Sequence, residues 1–104
     1  MVMPDAVRSL IELAQAPLEK LSRRVYNVTS FSYSAADFQR FTESGFPGAQ
    51  ISYQPDLPRQ TIVDSWPADI DDQAARSDWG WKTEFNANEA CQNYLLKNIR
   101  QHYA

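Results

Sequence analysis

A chain of 104 residues, 43% apolar and 12% aromatic, is long enough for one compact domain and too short for two ordinary ones. That composition supplies a core and excludes intrinsic disorder. The net charge of −3, with basic residues scattered singly apart from Arg23-Arg24, excludes a footprint for the phosphate backbones of nucleic acids.

In chain order, Pro4 and Asp5 open a stretch with Val7, Leu10, Ile11 and Ala14 on one face, which predicts a helix that Pro17 stops near Ala16. After a polar connection, Val25–Val28 reads as a short strand. Ser34 and Asp37 form a capping pair for a second helix, with Phe38 and Phe41 on its apolar side and Gly45 at its end. Ile51 and Tyr53 alternate with polar residues as in a half-buried strand over Ala49–Tyr53. Pro55 and Pro58 bracket a bend, and Arg59–Ser65 is open between extended and irregular structure. A short helix is expected over Asp71–Asp78, ending at Gly80. A last helix should start near Asn86 or Asn88, with Cys91, Leu95 and Ile99 along one side. The order predicts a mixed α/β fold in a single domain over 1–104, with a meagre sheet.

Few residues suggest chemistry. Gly45-Phe46-Pro47-Gly48 reads as a turn, and no glycine-rich loop or P-loop is present to cradle a nucleotide. His102, the only histidine, lies near the chain end, a poor place for a general base; Cys91, the only cysteine, falls on an apolar helix face and reads as a core thiol. With one cysteine there is no internal disulfide or thiolate cluster, so a reducing, cytoplasmic setting is expected. Neither a secretory pattern at Met1–Asp5 nor a stretch of membrane-spanning length is seen. Asn27-Val28-Thr29 matches a glycosylation acceptor by coincidence, and the spacing of Asp64, Asp69, Asp71, Asp72 and Asp78 suits capping and solvation better than a cation, so no metal site is expected. The segment from Arg59 to Pro67 is different: a guanidinium, a carboxylate, a hydroxyl and an indole occur together in it. Arginine can fork onto an anion and Trp66 beside Pro67 can form a rigid wall. The alternative is a structural Arg59–Asp64 pair with Trp66 in the core.

Several strings occur in a telling order: Met3-Pro4-Asp5-Ala6, Tyr26-Asn27-Val28-Thr29, Phe31-Ser32-Tyr33-Ser34, Ile51-Ser52-Tyr53, Arg59-Gln60 and Asp64-Ser65-Trp66-Pro67. Asp71-Asp72, Ala74-Ala75-Arg76 and Asp78-Trp79-Gly80-Trp81 follow. Together they resemble the C-terminal part of the short-chain-type L-threonine 3-dehydrogenases, members of the extended short-chain dehydrogenase/reductase family alongside sugar-nucleotide epimerases and dehydratases. The Arg-Gln and Asp-Ser-Trp-Pro strings are the most particular to that group.

The resemblance implies a small substrate-side lobe of an enzyme that oxidises the threonine hydroxyl by hydride transfer to NAD, giving 2-amino-3-oxobutanoate. In that family an N-terminal Rossmann domain holds NAD and a Tyr-x-x-x-Lys pair does the acid–base work. Neither is in this sequence: none of its five tyrosines has a lysine four residues later, so no catalytic residue and no NAD contact carry over. What carries over is the substrate side: Trp66 as the cover of the pocket, Ser65 beside it, and Arg59, which is either structural or, as in the sugar-nucleotide relatives, a ligand contact. Ser30–Ala35 departs from the family's usual Met-Ser-Phe-Thr-Pro at a helix entrance. The partners implied are the missing Rossmann domain or another copy of the chain, paired through the Val25–Val28 edge, with L-threonine as the small-molecule substrate of the whole enzyme. The alternative is a free-standing, non-catalytic interaction module derived from an epimerase/dehydratase.

Overall fold

In a computed structural model, residues 1–103 are described. They form helices α1 (Met3–Gln15), α2 (Ala35–Gly45), α3 (Leu57–Asp64), α4 (Gln73–Trp79), α5 (Ala87–Glu89) and α6 (Leu96–Tyr103), with a single 3-10 turn at Leu18–Lys20 and a π-helical stretch at Ala90–Leu95. Two compact units result: one from Met1–Ser32 together with the chain from Ile70 onward, the other Tyr33–Asp69.

No strand occurs among the described residues, which are helical, so the expected mixed α/β class is not borne out. Val25–Val28 and Ala49–Tyr53 run as non-helical segments without a ladder partner. A β-favouring sequence forms a strand only when a neighbouring backbone accepts and donates its hydrogen bonds. Tyr26 is fixed instead by its side chain, the phenol donating to Asp78 Oδ2 at 2.6 Å.

The first unit is organised around α1, α4 and the C-terminal helix. Pro4 opens α1, and Ala16, in extended conformation before Pro17, closes it, as the clash between proline and its preceding residue requires. Its buried side carries Asp5 and Ser9, while Met3, Val7, Leu10, Ile11 and Ala14 are all exposed. The apolar stripe is where the periodicity puts it, yet it faces away from the unit's own core.

That core is Val2, Ala75, Trp81, Ala87, Ala90, Cys91 and Leu96. Trp81 is 1% exposed and donates from Nε1 to the Thr29 carbonyl at 3.2 Å. At about 25 cal/mol per Å² a buried indole of this size contributes roughly 4–6 kcal/mol before entropy is counted. Gly80 directs it there: its φ of +77° is left-handed, closing α4 and letting the Trp81 amide bond back to the Ala75 carbonyl at 3.2 Å. Asp71 caps the entrance of α4 by accepting from the Gln73 amide at 2.9 Å, whereas Asp72 turns to Arg76 and holds its guanidinium with two bonds of 2.6 and 2.9 Å.

Asn86 starts the last helical run with a reciprocal box, accepting from the Glu89 amide while Glu89 accepts from the Asn86 amide, both at 3.0 Å. The buried positions then run Ala87, Ala90, Cys91 and Leu96, the last step being one of five. The five-residue step falls in the π-helical stretch, which widens the turn and rotates the face. Leu95 and Ile99, expected inside by an α-helical count, are therefore exposed.

In the second unit, Ser34 and Asp37 form the expected capping box at the start of α2. Tyr33 stacks on Phe41, with ring centroids 5.4 Å apart. Only Gly45 is buried in this unit, and every residue from Gln50 to Asp69 is exposed. The whole of α3 thus lacks a buried side chain.

Candidate functional site

Arg59–Ser65, left open by the sequence, belongs to α3. Asp56 caps it, its Oδ1 accepting from the Arg59 amide at 3.2 Å, and Pro58 occupies the first turn, where its missing N–H costs nothing. The same Asp56 pairs with the guanidinium, Nε to Oδ2 at 3.5 Å. The Arg59–Asp64 pair does not form; Asp64 instead accepts from Gln60 Nε2 at 2.6 Å, one helical turn away.

Arg59 borders a shallow cleft of about 410 Å³ with Tyr53, Gln54, Pro55, Asp56, Gln60 and Val63. Its side chain is 85% exposed, so its pairing with Asp56 is weak and the fork remains available. Ser65 and Trp66 lie at the other end of α3. The Ser65 hydroxyl donates to the Ile62 carbonyl at 2.6 Å, and the Trp66 amide bonds to the Val63 carbonyl at 3.0 Å, so both finish the helix. Trp66 is 66% exposed, which rules out the core role weighed for it. Arg59 therefore lines the cleft, while Ser65 and Trp66 do not, about 9 Å further along the axis by helical rise.

Two polar centres in the first unit have no counterpart in the sequence reading. Asp5 is fully buried. Its Oδ1 accepts from Arg8 at 2.9 Å and the Glu84 amide at 3.1 Å; its Oδ2 accepts from Thr83 at 2.6 Å, Ser30 at 3.2 Å and the Phe85 amide at 3.3 Å. Burial alone pushes this carboxyl up, but the bonds from Thr83, Arg8 and the two amides outweigh it and lower the pKa to about 2. Arg8 also bonds Glu12 at 2.6 Å and lies over the Trp81 ring, 4.7 Å from its centroid. At the second centre Asp78 Oδ2 accepts from the Ser22 amide, the Ser22 hydroxyl and Tyr26, which hold its pKa below the usual carboxylate range. Both depend on partners more than fifty residues away in sequence, so local periodicity gave no signal for them.

Burial pushes the Cys91 thiol up, away from the thiolate a nucleophile requires. Among the described residues no three His, Cys, Asp or Glu side chains gather to hold a metal. The glycines do not fit a dinucleotide: a pyrophosphate needs a left-handed turn leading into a helix N-terminus, whereas Gly80 closes α4 at its C-terminal, electronegative end and Gly48 (φ +100°) leads into the non-helical segment before α3.

No family model matches the chain. The mitochondrial L-threonine 3-dehydrogenase of Sus scrofa is 43% identical over 95 residues, 91% of this chain and 26% of the relative. An uncharacterised epimerase/dehydratase of Staphylococcus haemolyticus is 33% identical over 102 residues, 97% of this chain and 32% of the relative. Among solved structures, an L-threonine dehydrogenase of Cupriavidus necator in its holo form superposes with a TM-score of 0.84 at 44% identity, over 95% of this chain and 32% of that one. The chain thus spans about a quarter to a third of the length of the relatives it matches, and with likeness in both sequence and structure over nearly all its own residues it belongs to the L-threonine 3-dehydrogenase and epimerase/dehydratase family.

Proposed function

We propose that this chain is the C-terminal, substrate-side portion of an NAD-dependent L-threonine 3-dehydrogenase and that it is not a catalyst alone. The observation that carries the reading is 43–44% identity over nearly the whole chain to proteins named for that activity. In the complete enzyme the threonine hydroxyl is oxidised to the ketone of 2-amino-3-oxobutanoate, with NAD taking the hydride. Nothing in this chain fits the cofactor or supplies a Tyr-x-x-x-Lys pair, so the remaining part of such an enzyme would bring both.

Within this division of labour, Trp66 covers the substrate, Ser65 fixes the helix end from which it projects, and Arg59 offers a guanidinium at the neighbouring cleft. The exposure of α3 supports incompleteness. A binding group is precise only when packed side chains lock it, and the segment bearing all three residues has nothing buried behind it. The partner of this reading is a Rossmann domain of the same family. The setting is cytoplasmic, supported by a lone, buried, unpaired cysteine, and no described helix is long and apolar enough to cross a membrane.

The test is reconstitution. The purified chain is mixed with the cofactor-binding portion of a related threonine dehydrogenase, and threonine-dependent NADH formation is followed. Activity in the mixture and in neither part supports the reading; turnover by the chain alone, or a complemented activity indifferent to Trp66→Ala, contradicts it.

A further inference from the structure

Helix α1 is inverted relative to an ordinary surface helix, which turns its apolar stripe to the core and its charges to water. Its buried side carries Asp5 and Ser9, and Arg8 is tied there to Asp5, Glu12 and the Lys82 carbonyl. The opposite side is a stripe of Met3, Val7, Leu10, Ile11 and Ala14, with Met3 62% and Leu10 70% exposed. No charged residue interrupts it. A helix held inside by its charges and bare on its apolar side has the pattern of an element interior to a larger body.

We propose, resting on the reading of the chain as the C-terminal part of a threonine dehydrogenase, that this stripe is the surface on which the cofactor-binding portion of the same protein docks. The chain spans 26% of one relative and 32% of another, so most of a protein of that build lies outside it. In the reading proposed above that portion precedes Met1. Val2 is 4% exposed and α1 begins at Met3, so the joint leaves no free linker and sets the portion beside the stripe. Joined partners meet at an effective concentration on the order of millimolar, which favours the tethered portion over a separate copy. The chemistry agrees: a charge-free stripe gives a partner recognised by complementary charge nothing to pair with, and suits the apolar contact of permanently associated bodies. Nor does Val25–Val28 offer a second copy an edge, since it forms no strand.

The test reads access to position 10. Leu10→Cys is made in the chain and in the same chain joined at Met1 to the preceding portion of a related threonine dehydrogenase, and both are treated with a maleimide. Labelling is followed by peptide mass; the chain's own thiol, Cys91, is buried and serves as the slow reference. Leu10→Cys is expected to label at least about tenfold more slowly in the joined protein. Leu18→Cys, at an 82% exposed position outside the stripe, is expected to label equally in both. Equal labelling of Leu10→Cys in the two proteins overturns the proposal. So does protection in the separate chain that grows with its concentration, which a second copy would produce, or a slowing of Leu18→Cys as large as that of Leu10→Cys. Threonine-dependent NADH formation by the joined protein is read separately. Protection at position 10 without turnover supports the docking surface and counts against the dehydrogenase reading alone.

Discussion

Thr83 donates its hydroxyl to Asp5 Oδ2 at 2.6 Å, joining the first turn of α1 to a segment 78 residues later, and the same hydroxyl contacts the Phe85 carbonyl at 2.9 Å. Together with the Glu84 and Phe85 amides, this bond makes one buried carboxylate the fastening between the two ends of the first unit. Asp5→Ala removes an acceptor and leaves Arg8, Thr83 and two amides without it. The expected cost is about 3 kcal/mol, read as a lowered urea midpoint. Thr83→Val should cost about 1 kcal/mol, and the double variant should cost less than the sum, because the two residues share one bond.

The same carboxylate sets an acid limit. Its pKa in the folded chain is about 2, against an ordinary value of 3.8. A group whose folded pKa is depressed contributes stability that is complete above the unfolded value and is lost as pH falls through the folded one. Between about pH 4 and pH 2 the chain should therefore lose up to about 2 kcal/mol from this group alone. Urea denaturation across that window should show the slope, and Asp5→Asn should flatten it.

Gly80 isolates a backbone effect. At φ +77° no atom lies within 4 Å of where a Cβ would stand, so Gly80→Ala meets no clash and pays only for the left-handed conformation. A loss of about 1 kcal/mol in thermal stability is expected. Gly80→Asn, which tolerates that region better, should lose less.

Arg59→Ala and Trp66→Ala should leave the unfolding midpoint of the chain unchanged within about 0.5 kcal/mol, since both side chains are exposed. In the complemented enzyme, Trp66→Ala should raise KM for threonine. Hydrogen exchange should show the amides of α3 far less protected than those of α4, because α3 has no buried side chain to hold it.

The parts of this fold that rest on neighbours in sequence were legible. Ser34 with Asp37, Pro17 after α1, Gly80 after α4 and Asn86 before the last run all act within a few residues, and each lies where its chemistry predicts. The absence of a strand at Val25–Val28 and Ala49–Tyr53 was not, because β-favouring residues such as Val25 and Ile51 form one only beside a partner strand, which no local pattern reports. The π-helical step after Cys91 defeated a count made in fours, so Leu96 rather than Leu95 is buried. For the candidate site, the composition of Arg59–Pro67 marked the segment, but its helix escaped notice because Pro58 read as a bend when it stands in the first turn. Asp5 read only as part of a helix start; its role as a hub rests on Ser30, Thr83, Glu84 and Phe85, all distant in the chain.

The central claim is that the chain carries the substrate side of a threonine dehydrogenase and no cofactor site. Calorimetric titration of the purified chain with NAD, with and without L-threonine, tests it most directly. The account predicts no saturable heat in either titration, with saturable NAD binding once a cofactor domain is supplied. Saturable binding of NAD by the chain alone would contradict it.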